Sequence, residues 1–322
     1  MRVIDVHAHM TPQFVVAATA KGTGVHGIDP AAFSSGLGHA MSPDQHIAEI
    51  DTLSIDVQVL SPQGQLYCYE HDATNVAALH RECNDSLRQV VVDYPTRLVG
   101  LAILPMQDVA LAVAELERAI TVLGLKGAMI GDHVNGVNYD DVGFRPFWAA
   151  AEQLGALIFL HQAPPTMIAQ RLRDYHAPNS IGNLVERTVS FASIVFGGVL
   201  DEFPDLKLCL AHGGGYVCFG IGRMDWAWQW RAQAQAHASR PPSEYLASFY
   251  YDCITHNEHA LRFLIDSVGV DRVLFGSDFP GFAAGKAGAG YQPVDWLHGL
   301  SSITDAEKDA ILFGNLERLL GI

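Results

Sequence analysis

Eight short apolar runs, rich in β-branched residues, recur along the 322-residue chain with helix-like segments between them. They are VIDVHAH (3–9), VQVLS (57–61), LVGLAIL (98–104), GAMIG (127–131), ALIFLHQ (156–162), LKLCLAH (206–212), FYYDC (249–253) and VLFGSD (273–278). In the intervening ALAVAELERAITVL, Val113, Leu116, Ile120 and Leu123 repeat at helical spacing. Residues 72–93, 143–154, 183–203, 214–235 and 256–268 read as helices in the same way, and Asp44 reads as the cap of a short helix before the second strand. Strands alternating with helices point to a parallel sheet, and eight strands are the number that closes a (β/α)8 TIM barrel. The alternative, an open doubly wound sheet, lacks its G-x-G-x-x-G turn after the first strand. The chain is 49% hydrophobic, enough for a large core, and its length fits one α/β barrel domain over 1–322. Residues 10–42 break the alternation and are read as an inserted excursion at the active-site face. GFAAGKAGAGY (281–291) reads as a mobile Gly/Ala-rich loop.

The first run carries a polar row. In a strand, Asp5, His7 and His9 face the same way, and such a row is costly to bury without partners. In a barrel of this type the active site lies at the C-terminal strand ends. His7 and His9 end strand one, His161 strand five, His212 strand six and Asp278 strand eight. A lone histidine at a strand end is ordinary; five such groups on one rim are not filler. Three imidazoles and a carboxylate suit Zn²⁺ or a similar transition metal with one position open. Asp5 either orients a ligand from behind or belongs to the strand base. The fourth strand ends GAMIGDH without a lysine; Lys126 lies at its other end. A bridging carboxylated lysine is therefore absent, and one metal is expected. His133 is expected to line the pocket or hold a loop.

The formal net charge of -15 argues against a nucleic acid or an anionic membrane surface as partner. It leaves room for a small anionic substrate. Cys68, Cys83, Cys209, Cys218 and Cys253 form no C-x-x-C pair and read as reduced thiols of a cytoplasmic protein. No apolar run reaches membrane-spanning length, and the first residues lack the layout of a secretory signal.

The stretches DVHAHM, RLVGLAILPMQ, GLKGAMIGDHVN, FLHQ, FGGVLDEFPDLKLCLAHGGGYVCFGIGRMD, YLASFYYD and VLFGSDFP, in this order, resemble the amidohydrolase superfamily. Within it they resemble the 2-amino-3-carboxymuconate-6-semialdehyde decarboxylase group. The resemblance implies His7, His9, His161 and Asp278 as ligands of one divalent metal, usually zinc, with manganese as the alternative. It implies His212 as the catalytic acid/base, with Asp278 beside it. It also implies that Arg223 in GIGR and Arg231 bind the substrate carboxylate across a homodimer. Read without the family, these arginines would be a solvated helix face with Trp226, Trp228 and Trp230 packed nearby. Two places depart from the family. AAFSSGLGHAMSP has no arginine where members carry basic pocket residues, and Asn179 stands where the decarboxylase has a pocket tryptophan. The expected activity is metal-dependent, non-oxidative decarboxylation of a small carboxylate, either a muconate semialdehyde or a hydroxylated aromatic acid. The alternatives are a metal-dependent hydrolase or hydratase of the superfamily and a non-catalytic metal-binding scaffold. His212 argues against the scaffold, because a structural metal needs no base beside it.

Overall fold

The computed structural model describes residues 2–33, 40–281 and 292–322. Among them run the strands β1 (Ile4–Met10), β2 (Val57–Pro62), β3 (Leu98–Gly100), β4 (Ala102–Ile103), β5 (Gly127–Gly131), β6 (Leu157–His161), β7 (Lys207–Leu210), β8 (Phe249–Asp252) and β9 (Val273–Leu274). All pair in parallel, in the orders β1-β2-β3 and β4-β5-β6-β7-β8-β9. β3 and β4 are two halves of the expected third barrel strand, parted at Leu101. Asn84, from the helix Ala73–Asp93, donates its Nδ2–H to the Ile103 carbonyl (3.0 Å) and accepts the Ile103 N–H (2.9 Å). A side chain thus occupies backbone groups that a neighbouring strand would otherwise use. The strand order carries across the break through Leu101 N–H to Leu60 O (2.8 Å) and Lys126 N–H to Gly100 O (2.9 Å). The last strand returns to the first. Val6 N–H reaches Phe275 O (2.9 Å), His9 N–H reaches Phe279 O (2.7 Å) and Asp278 N–H reaches His7 O (2.9 Å). These bonds close the ring of the expected (β/α)8 barrel.

Helices cover the outer face of the strands. Every residue of β2, β5 and β6 is buried, and β5 and β6 accordingly read as apolar runs up to His161, while β2 buries Gln58 and Ser61 as well. The helix Ala73–Asp93 turns Val76, Leu79, Cys83, Leu87 and Val90 inward at spacings of three and four. Asp72 caps it by accepting the Thr74 and Asn75 amides. Among the described residues, nearly all the buried apolar side chains form one contiguous cluster.

Several boundaries differ from the sequence reading. The cap of Pro43–Thr52 is Ser42, in a capping box with Gln45; Asp44 lies in the first turn and accepts the Tyr94 hydroxyl. Ser42 Oγ accepts the Gln45 amide (3.2 Å) and Gln45 Oε1 accepts the Ser42 amide (2.9 Å). The segment 183–203 is two helices, Asn183–Phe196 and Val199–Glu202, divided at Gly198, whose φ of 71° no helix continues. The excursion after β1 contains the helix Gln13–Ala20 and a Val25–Ile28 bridge, and buries Val15, Ile28 and Phe33. Residues 34–39 of the excursion and 282–291 of the Gly/Ala-rich loop lie outside the described residues. Lys126 donates Nζ–H to the Leu320 carbonyl (3.2 Å), at the barrel end opposite the histidines.

Candidate metal centre and active site

The strand ends bring His7, His9, His161 and Asp278 together. One ligand atom from each lies within 4.8 Å of the others, and all four residues are buried. His7 donates Nδ1–H to Asp252 Oδ2 (2.8 Å). His9 Nδ1 meets Ser61 Oγ (3.1 Å), whose own proton points to the Ala8 carbonyl (3.2 Å). With both protons on Nδ1, the Nε2 lone pairs of His7 and His9 face each other at 3.1 Å. Asp278 Oδ1 lies 3.3 Å from each Nε2. Both nitrogens of His161 are buried and have no hydrogen-bond partner among the described residues. Lone pairs and a carboxylate converging on one point repel unless a cation sits between them, so the donor set fits a divalent metal.

Electrostatics agree. Burial holds His161 well below the usual imidazole range, aided by the nearby His9 and His7, and burial likewise lowers His9. Both rings are therefore neutral and free to donate a lone pair. Burial alone would raise the Asp278 carboxyl, but His7, His212 and His9 together outweigh it and hold Asp278 well below the carboxylate range.

His212 enters from the chain just after β7. It leaves the strand in a left-handed conformation, φ 56°, and is followed by Gly213, Gly214 and Gly215, all with positive φ. A Cβ on Gly215 would lie 2.1 Å from the Leu184 carbonyl, so only glycine permits this path. His212 Nε2 stands 3.7 Å from Asp278 Oδ2, and its Nδ1 is buried with no partner among the described residues.

Asp252, to which the sequence reading gave no role, ties these groups together. Besides His7 Nδ1–H it accepts the amides of His212 (2.9 Å), Gly213 (2.9 Å) and Ile254 (3.0 Å). One fully buried carboxylate thus fixes the His7 tautomer and the backbone of His212. Burial would raise its pKa, but the His7 hydrogen bond, the nearby His7 and His212 rings and the Gly213 amide together outweigh it and keep Asp252 low. The signal was an aspartate ending the apolar run FYYDC, at the same rim as the histidines.

Asp5 touches no metal-facing ring. It accepts the amides of His7 and Ser277 (3.0 Å each), the Ser277 hydroxyl (2.5 Å) and Gln58 Nε2–H (2.7 Å). It pins β1 to the closing segment from behind. His133 does both things expected of it. It lines a cavity, donates Nε2–H to Pro165 O (3.2 Å) and accepts the Gly136 amide at Nδ1 (3.2 Å).

His212 lines a cavity of about 770 Å³ whose walls include Asn179, Leu184, Phe219, His256 and Phe263. Asn179 also borders the neighbouring cavity at His161. Arg223 and Arg231 line neither cavity and are exposed. They belong to the helix Val217–Trp230 and its C-cap, where the Arg231 guanidinium lies over the Trp226 ring at 5.0 Å. Phe219, Arg223, Trp226 and Trp230 recur at i, i+4, i+7 and i+11 and form one exposed stripe, with Phe219 87%, Trp226 50% and Trp230 61% exposed. Trp228 instead turns in and donates to the Ala238 carbonyl (3.0 Å).

The Amidohydrolase family model matches residues 4–322. The chain belongs to the amidohydrolase family. It is 34% identical over 297 residues to the 2-amino-3-carboxymuconate-6-semialdehyde decarboxylase of Dictyostelium discoideum, covering 92% of this chain and 81% of that one. Among solved amidohydrolase-fold structures, 5-carboxyvanillate decarboxylase from Sphingomonas paucimobilis superposes with a TM-score of 0.86 at 28% identity, over 100% of this chain and 99% of that one. A dihydroxybenzoic acid decarboxylase from a Polaromonas species, solved with bound manganese and the inhibitor 2-nitroresorcinol, gives 0.83 at 25% identity, over 99% and 97%. Among the described residues, no helix is long and apolar enough to cross a membrane.

Proposed function

We propose that this amidohydrolase is a metal-dependent, non-oxidative decarboxylase of a small aromatic or muconate-type carboxylic acid. The observation that carries the reading is His212 beside the ligand set. The site combines His7, His9, His161 and Asp278 with an imidazole 3.7 Å from Asp278 that opens into an apolar chamber. The named relatives, decarboxylases of such acids, support it. One divalent ion, when bound, supplies a Lewis acid that holds and polarises the substrate oxygens. Manganese in the Polaromonas relative makes it a candidate beside zinc.

In this reading His212 delivers a proton to the ring carbon that bears the carboxylate. The C–C bond then breaks, its electron pair returns to the ring, and CO2 leaves. Water restores the proton on His212. Asp278 orients His212 through the contact between them, and Asn179 lies against the substrate. The apolar chamber excludes water from the carbon being protonated. Arg223 and Arg231 hold the carboxylate of a substrate bound in a second copy of the chain. Their exposure on an aromatic stripe, away from the chamber of their own subunit, supports a homodimer built on that stripe. We read the whole chain as one catalytic unit and, with five free buried cysteines, as a cytoplasmic protein.

The deciding experiment is to incubate the metal-loaded protein with a panel of hydroxybenzoic and muconic acids in D2O. Decarboxylation releases CO2 and leaves one deuterium at the former carboxyl carbon. A product that has gained water, with no CO2, would assign the site to hydrolysis or hydration instead.

A further inference from the structure

The chamber at His161 continues away from His212. A cavity of about 440 Å³, lined by His161, Gln162 and Asn179, shares Gly64, Gln65, Pro164, Pro165, Thr166 and Ala169 with a larger one of about 920 Å³. The larger one lies beyond β2, β5 and β6, between Tyr67–Glu70, His133–Asn138 and Ala163–Gln170. On its other side the His161 cavity shares Asn179 and Asn183 with the His212 cavity. The site therefore has two arms meeting at the ligand set. Each alone has the volume of a drug-sized ligand site, well beyond the need of a single benzoate ring.

The walls of the second arm say what it accepts. Tyr67 and Tyr69 stack at 5.1 Å and 19°, and Ala163, Pro164, Pro165 and Val189 add apolar surface. No arginine or lysine is among its described lining residues. Glu186 is buried there, with Oε1 accepting the Met167 amide and Oε2 left without a donor among the described residues. An anionic group would be repelled by that carboxylate and by Glu70, which lines the same cavity. Tyr67 and Thr166 also line this arm, and among the described residues Tyr67 Oη and Thr166 Oγ1 make no hydrogen bond.

We propose that the second arm is a subsite for an uncharged aromatic extension, so that the preferred substrate is an aromatic acid carrying a second, neutral ring. This rests on the decarboxylase reading of the same site.

The test uses full-length metal-loaded protein and two probe series. One is 2-hydroxybenzoic acid and its phenyl-substituted isomers, followed by CO2 release. The other is the matching 2-nitrophenols, which cannot lose CO2, followed by calorimetric binding. At least one phenyl isomer is expected to bind about tenfold or more tightly than the single-ring analogue, with kcat/KM rising in parallel. Val189→Trp, which narrows only the second arm, should abolish that gain and leave single-ring binding within about twofold. Ala32→Trp, at another lining residue of this arm, serves as the second variant and should behave the same way. A carboxyphenyl isomer should bind worse than the phenyl one, and Glu186→Gln should narrow the difference. Normal single-ring binding and turnover with no gain for any isomer would overturn the subsite and leave the decarboxylase reading standing. A gain that survives both tryptophan variants would also overturn it. Failure of every single-ring and extended probe to bind or react would remove both readings.

Discussion

Replacing Asp252 with asparagine keeps the shape of the side chain and inverts one hydrogen bond. The carboxylate now accepts four donors: His7 Nδ1–H and the His212 amide at Oδ2, and the Gly213 and Ile254 amides at Oδ1. An asparagine has one oxygen and one NH2. If its oxygen keeps the Gly213 and Ile254 amides, the NH2 faces His7 Nδ1 and must donate to it. The His7 proton then moves to Nε2, the nitrogen that faces His9 at 3.1 Å and the metal position. The His212 amide loses its acceptor at the same time. Each buried donor left without a charged acceptor costs about 1.5–3 kcal/mol. Loss of such a supporting carboxylate typically lowers metal affinity by about 10–100-fold. Turning the amide over spares His7 but strands two backbone amides at similar cost, so neither orientation is neutral. The assay is metal affinity by competition with a chromophoric chelator, alongside circular dichroism to verify the fold. Asp252→Asn, His7→Ala and the double variant form a cycle in which the Asp252 effect should largely vanish once the imidazole is gone. A folded Asp252→Asn protein with metal affinity within about twofold of wild type would refute the tautomer argument.

Metal analysis of the purified protein should give about one equivalent, and His161→Ala or Asp278→Ala should lose it; two tightly held ions would refute a mononuclear site. His212→Ala should keep the metal and lose turnover by about 10²-fold or more, the scale of a positioned acid/base, and loss of metal instead would make His212 a ligand. Arg231→Ala should lower kcat/KM about tenfold or more with metal content unchanged. Mixing it with His212→Ala under subunit exchange should restore part of the activity, and no recovery despite proven exchange would place the arginine outside a shared site. His80 is buried, its Nε2 bonded to the Leu66 carbonyl, and burial pushes its pKa down to about 4. The unfolded chain takes up this proton below about 6.5 and the native one does not, so stability falls as pH drops from about 6.5 to 4, by about 3 kcal/mol in total. Denaturant titrations of wild type and His80→Gln over that window should differ in slope, and parallel slopes would show that His80 does not carry this term.

What the sequence made legible was the part that depends on position along a strand. Once eight runs are recognised, the C-terminal end of each is fixed, and His7, His9, His161 and Asp278 fall on one rim. What it hid depends on backbone geometry and on bonds between distant elements. Asp252 acts partly on the amides of His212 and Gly213, which no residue pattern records. The break at Leu101 follows from Asn84, on a helix, pairing with the Ile103 backbone. The Ser42 cap was missed because the acidic Asp44 is conspicuous and a serine is not, although the S-x-x-Q spacing to Gln45 was readable. Trp226, Trp228 and Trp230 were visible as an aromatic run, but only the structure shows that Trp226 and Trp230 lie exposed with Phe219 while Trp228 turns in.

The ring closes where the first and last strands meet: His7 and His9 lie on one side of the seam and Asp278 on the other, joined by the bond from Asp278 N–H to His7 O (2.9 Å). During synthesis the histidines emerge long before their carboxylate partner arrives. Contacts of such sequence separation form late and slowly. An ion bridging the seam would act as a clasp that fastens only on the finished barrel, because a partly made chain cannot supply the full set of donors. Binding to the native state alone raises its stability by RT ln(1 + [M]/Kd), so the melting temperature should climb with free metal. Cellular metal supply would then govern how long each copy survives proteolysis, as well as how many copies are active.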